Sequence, residues 1–450
     1  MKWAVLVAYI VLCIGLAFHL RQNRRSMRWM AFAFGFLPFV LSDWHLYIAP
    51  YVWPMWPGHT KGIEVSVLDF LAIAVAVSPG KAKGAVGAVW PWLAYWVFVA
   101  LSLPHAGQSI PALFYLWQLA RMILVFIAAF RIGTHPQAGK YQLYGVFAGG
   151  VCQLIYVAIQ YTQGVLQPGG TMGTQNLLGL VTHFALIPAL GLLLVGRSNA
   201  LVLAAFVAAV LVDIATASRA TLAVAAVGCV LMIVLSSMKR MTGRKVGILL
   251  AAALVGTALV PFALSTLDKR KAINSTEQSN AERDSLARAA WLIIGDYPLG
   301  TGPNQYVLLS NTGGYAQRAG VQPTFGSRAA SVHNSYLLVL AETGPLGLLG
   351  MLLAVFVPLV RALWGALRYK ADKRSDLALA MAAAMLAVAM HLLFEWVFLL
   401  FAVQYLLAMF GGMCAGLVFQ MKADAKAARK SRAASVPDEP EAWPLGSEPA

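Results

Sequence analysis

Apolar runs of about 17 to 25 residues recur along the chain from Trp3 to Met421. Each is long enough to cross a bilayer as a helix, and no soluble domain has room to bury so many of them. With 60% of residues apolar, 12% charged and a mean hydropathy of +0.70, the fold class is all-α, a polytopic integral membrane protein. The first run, Trp3 to Leu20, has the length of a signal peptide but lacks a small-x-small cleavage site, and the basic cluster Arg21 to Arg28 follows it; it reads as a retained span. Cys13, Cys152, Cys229 and Cys414 all fall inside apolar runs and read as small hydrophobic filler, giving no support for disulfides or a metal site.

The net charge of +16 reflects topology, and nucleic acid is not an expected partner. The cations sit in short connections: Arg21 to Arg28, Lys81/Lys83, Arg131/Lys140, Arg197, Lys239 to Lys245, Arg361 to Arg374 and Lys422 to Arg432. Short loops rich in Lys and Arg are cytoplasmic. Each interval between successive clusters has room for a span out and a span back. That predicts six hairpins plus the first run, about thirteen helices (twelve without it), with the amino terminus outside. Residues 1–421 form the membrane domain, and the Ala-, Pro- and charge-rich segment 422–450 is expected to be a disordered cytoplasmic tail.

Most external connections are short: 51–62, 104–110, 166–174, 217–219 and 395–397. The segment 266–332 is the exception, a polar external loop of about 65 residues, and loops of that length commonly carry function. Within it, "AERDSLARAAWLIIGD" predicts a short amphipathic helix with Leu286, Ala289, Leu292 and Ile293 as its stripe, ended by the Pro-Leu-Gly-Thr-Gly turn at 298–302. Arg318 and Arg328 are ordinary for a solvated loop, whereas for Arg288, on the loop helix, a solvated position and a ligand contact fit equally. Arg219 differs: it stands in the tight external turn "ASRAT", where a cation without a partner is costly and a fork of donors suits a phosphate. Arg121 lies within a span, with Asp69 and Asp213 as possible neutralising partners; a structural ion pair and a functional role fit equally.

"HNSYLLVLAETGPLG", 333–347, places a histidine and an asparagine at the mouth of a span, then glycine at 344 and 347. This spacing resembles the signature of the O-antigen ligase and O-antigen polymerase superfamily of membrane glycosyltransferases. Three further segments are similar to that family: Arg288 with Trp291 and Pro298-Leu299-Gly300-x-Gly302, "SRA" at 218–220, and "GTMGTQNLLG" at 170–179, where the Asn-Pro-Asn often found reads Thr174-Gln175-Asn176. The resemblance covers about residues 170 to 420.

The resemblance implies a bacterial inner-membrane enzyme whose active site faces the periplasm. It would move a glycan from undecaprenyl diphosphate to an acceptor hydroxyl, most simply that of lipid A-core, with membrane lipid as its medium. A polysaccharide polymerase or a protein O-glycosylating ligase would use the same donor and motif; a transporter or flippase fits less well, since no internal repeat is visible. In the family reading His333 is the catalytic base, Arg219 and Arg288 bind the donor diphosphate, and Asn334, Gly344, Gly347 and Arg121 support them. No cofactor is implied, and the external segments carry no Asp-x-Asp pair that would suggest a metal. Glu342 is the nearest carboxylate in sequence to His333, but nine residues of helix separate them by about 13.5 Å and place them on opposite faces. The Gly344-Pro345 break is expected to open a groove for a polyprenyl tail.

Overall fold

The computed structural model of the protein describes residues 2–78, 83–273 and 276–434. Apart from one two-stranded hairpin, its regular structure is helical. In the first half α1 (Lys2–Gln22) and α2 (Met27–Phe36) lead to the antiparallel hairpin β1 (Tyr47–Val52) and β2 (Gly62–Ser66), followed by α3 (Val67–Val77), α4 (Lys83–Leu101), α5 (Ser109–Thr134) and α6 (Ala138–Thr162). Next come α7 (Gln175–Leu194), α8 (Ala200–Ala215), α9 (Arg219–Lys239) and α10 (Gly243–Ile273). The long loop holds α11 (Thr276–Asp296), α12 (Tyr306–Thr312), α13 (Tyr315–Arg318) and α14 (Phe325–Ala329), before α15 (Ser335–Arg368), α16 (Arg374–His391) and α17 (Phe401–Ala434) close the bundle.

Among the described residues nine helices are long and apolar enough to cross a membrane, against the thirteen expected. Clusters of basic residues count turns, not lengths. Between them lie α2, α3 and α8 with 10, 11 and 16 residues, each shorter than the roughly 30 Å of a bilayer core. The connection read at 51–62 is the inner part of the β-hairpin. Residues 422–434, expected to belong to a disordered tail, are helical, because "KADAKAARKSRAA" is rich in strong helix formers and prolongs α17 to Ala434. Residues 435–450, the rest of that expected tail, lie outside the described residues.

Burial sorts the helices into inner and outer. α7 is apolar on every face and 94% of its spanning window is buried, so it stands at the centre, whereas the window of α1 is 11% buried and its exposed Trp3, Val11 and Phe18 suit a lipid-facing position. α5 and α17 pack backbone to backbone: Gly412 lies against the Phe126 carbonyl and Gly416 against that of Phe130, where any Cβ would collide.

The bundle has two unlike ends. At one, the turns between α7 and α8, α9 and α10, and α15 and α16 gather Arg197, Lys239, Arg244 and Arg374 with Asp372 and Asp376. At the other, side chains cap the helices as they start: Ser66 and Asp69 form a capping box on α3, and Thr174, Ser218 and Asn334 cap α7, α9 and α15. The loop helices dock on this second end. α11 buries Leu286, Ala289, Ala290 and Ile293; Leu292, expected in the stripe, is 39% exposed.

The break in α15 positions the loop. Gly344 has φ +67°, and Pro345 lacks the N–H that would normally bond the Ala341 carbonyl. The amide of Thr301 donates to that carbonyl instead, at 3.2 Å. The Leu299–Gly302 turn fits tightly: a Cβ at Gly344 would stand 2.5 Å from the Leu299 carbonyl oxygen, and Gly300 and Gly302 both have positive φ. The expected groove is therefore filled by the loop. Glu342, buried in the same stretch, accepts from the amides of Asn304 at 2.9 Å and Tyr306 at 3.0 Å and pins the next turn.

Candidate active site

Asn334 starts the site. Its side chain accepts from the Leu337 amide at 3.0 Å and caps α15, which leaves His333 just before the helix. Ser335 then fastens the helix start to the α16–α17 connection: its amide donates to the Leu392 carbonyl at 2.9 Å and its hydroxyl to the Glu395 carbonyl at 2.6 Å. This clamp brings a carboxylate to the histidine. His333 Nδ1 lies 3.1 Å from Glu395 Oε2, and Arg283 Nη2 lies 2.9 Å from Glu395 Oε1. Glu395 is 1% exposed, while His333 and Arg283 are 23% and 32% exposed. A buried carboxylate thus holds an imidazole on one side and a guanidinium on the other, both open to the surface.

A carboxylate on Nδ1 sets the tautomer. Nδ1 carries the hydrogen, and Nε2, which has no hydrogen-bond partner among the described residues, keeps its lone pair. That is the arrangement of a general base oriented by a third group. The exposed Arg219 donates from Nη2 to Asn280 Oδ1 at 3.2 Å, and Asn280 stands one turn before Arg283 on α11. Two guanidiniums therefore meet the same stretch of α11. Leu393 and Phe394, 49% and 46% exposed, flank Glu395 with apolar surface.

Arg288 is directed elsewhere. Its Nε and Nη2 donate to the Ala319 carbonyl at 3.3 and 3.1 Å, and Nη2 also to Ser285 Oγ at 2.9 Å. Five residues turn a helix by about 500°, so Arg283 and Arg288 leave α11 about 140° apart. Arg288 fastens α11 to the α13 segment, and Arg283 is the α11 guanidinium that meets Glu395. The sequence carried a usable signal: Arg283 stands three residues before Leu286 and seven before Ala290, on the side of the buried stripe, and Arg288 does not. We expect Arg283→Ala to lower activity about 10²-fold, as loss of one donor to a developing anion does elsewhere, while Arg288→Ala stays within about threefold. Comparable rates for the two variants, at matched protein levels, would reject this assignment.

Of the other residues singled out in the sequence, Arg318 pairs with Asp296 at 3.6 Å and lies over the Tyr315 ring, away from His333. Gly344 and Gly347 hold the loop-docking break and the turn beneath it, where Gly347 makes room for the Thr343 side chain. Arg121 is 4% exposed and joins a separate buried cluster, with Asp69 at 2.9 Å, Glu64 at 3.9 Å and the Tyr405 hydroxyl. Asp213 does not neutralise it; it accepts from Thr182. Sequence reading missed Glu395, Arg283 and Asn280. A lone carboxylate in the apolar run "HLLFEWVFLL" was the available sign for Glu395. Among the described residues no group of three or more His, Cys, Asp or Glu is placed to hold a metal ion.

A search among curated proteins finds no matching relative. Residues 203–352, from α8 to the middle of α15, match the family model described as O-antigen ligase. The matched region contains Arg219, Asn280, Arg283 and His333 and stops short of Glu395. The chain is a multi-pass helical membrane protein that over residues 203–352, a third of its length, is similar to the O-antigen ligase family.

Proposed function

We propose that the protein transfers a glycan from undecaprenyl diphosphate to an acceptor hydroxyl, that of lipid A-core, at the periplasmic face of the bacterial inner membrane. The observation that carries this reading is the His333–Glu395–Arg283 cluster, with Arg219 bonded to Asn280 one turn from Arg283 on α11, open to one end of the bundle. A sugar hydroxyl is a poor nucleophile. As its oxygen attacks the anomeric carbon, its proton passes to His333 Nε2, and the buried Glu395 carboxylate stabilises the imidazolium that forms. The bond from the anomeric carbon to the diphosphate oxygen breaks at the same time. The lipid diphosphate leaves with added negative charge, which Arg219 and Arg283 are placed to meet. The exposed Leu393 and Phe394 offer the polyprenyl chain an apolar flank beside Glu395, in place of the groove that the loop fills.

The basic end of the bundle supports the orientation, since short Lys/Arg-rich turns stay in the cytoplasm. A cysteine replacing Gln278 should react with an impermeant thiol reagent in spheroplasts, and one replacing Lys370 should not. For the activity, purified protein is given lipid-linked glycan with either lipid A-core or a second lipid-linked glycan, in the presence of EDTA. We expect lipid A-core to be extended. Extension of the lipid-linked glycan alone would make the protein a polymerase, and extension of neither would end the glycan-transfer reading.

A further inference from the structure

At the end of the bundle away from His333, the α7–α8, α9–α10 and α15–α16 turns wall a cavity of 620 Å³. Five lining side chains are cationic, Lys239, Arg240, Arg244, Lys245 and Lys370, against one acidic, Asp376. That single carboxylate is already shared: Lys239 pairs with it, and Arg197 approaches it at 3.3 Å. Lys245 is buried, and its ammonium donates to the carbonyls of Ser236 at 2.6 Å and Arg240 at 2.5 Å, the last turn of α9. Arg244 reaches the Leu193 carbonyl and Ser198 Oγ, each at 3.1 Å. The side chains of Arg240 and Lys370 are exposed and make no bond among the described residues.

The topology rule explains cations in these turns. It does not explain why Lys370 of the α15–α16 turn should join four cations of the α9–α10 turn around one concavity, where like charges repel unless an anion joins them. A basic pocket between membrane helices at the bilayer surface has the chemistry that holds a lipid phosphate. The volume is that of a small-molecule site, and an arginine with a free fork beside a lysine suits a phosphodiester.

We propose that this cavity binds the phosphate of an anionic phospholipid, at a site separate from the glycan-transfer chemistry and independent of that reading. The full-length protein, purified in detergent, is titrated with phosphatidylglycerol, with phosphatidylcholine as the neutral comparison and inorganic phosphate as the free anion, and bound species are counted by native mass spectrometry. We expect phosphatidylglycerol to be retained in preference to phosphatidylcholine. Arg240→Gln/Lys370→Gln should weaken its retention about 30-fold, from about fivefold for each surface cation removed. Both side chains are exposed and unbonded, so the variant should elute and unfold as the parent does. If the double variant fails to fold, Lys370→Gln alone should still weaken retention about fivefold. Equal retention of phosphatidylglycerol by parent and variant overturns the site. Binding of inorganic phosphate with no preference between the two lipids overturns the lipid as its source.

Discussion

Replacing His333 by alanine is expected to lower glycan transfer by about 10² to 10⁴-fold, the usual worth of a positioned general base. The variant should fold, because the Ser335 clamp and the Arg283–Glu395 pair remain to hold α15, α11 and the α16–α17 connection together. It should also bind lipid-linked donor as the parent does, since the arginines are untouched. Glu395→Gln tests the second member of the cluster. The amide oxygen can still accept from Nδ1, so the imidazole keeps its tautomer, but the negative charge that stabilises the imidazolium is gone. We expect a loss smaller than that of His333→Ala, accompanied by a change in maximal rate with donor binding retained. Initial rates with reconstituted protein and synthetic lipid-linked glycan decide the matter. A His333→Ala protein that turns over within threefold of the parent would remove the base and leave charge stabilisation by Arg219 and Arg283 as the whole of catalysis.

What could be read from the sequence was whatever depends on local composition. The apolar runs announce membrane helices, and the position of His333 between a polar loop and an apolar helix announces a reactive side chain at a membrane surface. Asn334, next to it, is legible as a cap. The partners of His333 were not legible, because they come from afar: Glu395 is 62 residues away, and the Ser335 clamp brings it near. Choosing between Arg283 and Arg288 required the phase of α11, which an alternative stripe through Leu292 obscures. The Gly344-Pro345 break was visible as a break, but what fills it was not, since the Thr301 amide that satisfies the Ala341 carbonyl belongs to a turn 40 residues earlier. Asn304 shows the same limit. With φ +64°, it donates to the carbonyls of Thr60 at 2.7 Å and Pro111 at 3.0 Å and so joins the loop to the hairpin and α5. No local pattern marks such a residue.

Arg121 supplies the largest expected effect on stability. Its guanidinium joins α5 to Asp69 at the start of α3 and to Tyr405 on α17, at 4% exposure for both charged partners. Asp69 also accepts from the Ser66 amide at 2.7 Å and from the Tyr405 hydroxyl at 2.7 Å, so its carboxylate is fixed whether or not the cation is there. Arg121→Met would leave that charge buried and unpaired. Breaking a buried pair on one side typically costs about 3–5 kcal/mol, whereas removing both charges together is often close to neutral. We therefore expect Arg121→Met to lower the thermal unfolding midpoint markedly in detergent, and Arg121→Met/Asp69→Asn to recover much of the loss, because asparagine can still accept from the Ser66 amide. Glu64 gives a second readout. Burial pushes its carboxyl up while Arg121, 3.9 Å away, opposes that shift, so loss of the cation should raise it further. Transfer per folded molecule should stay near the parent value, since Arg121 touches neither His333 nor its partners. If the folded fraction of Arg121→Met is as stable as the parent but inactive, Arg121 belongs to the site after all and the structural assignment falls.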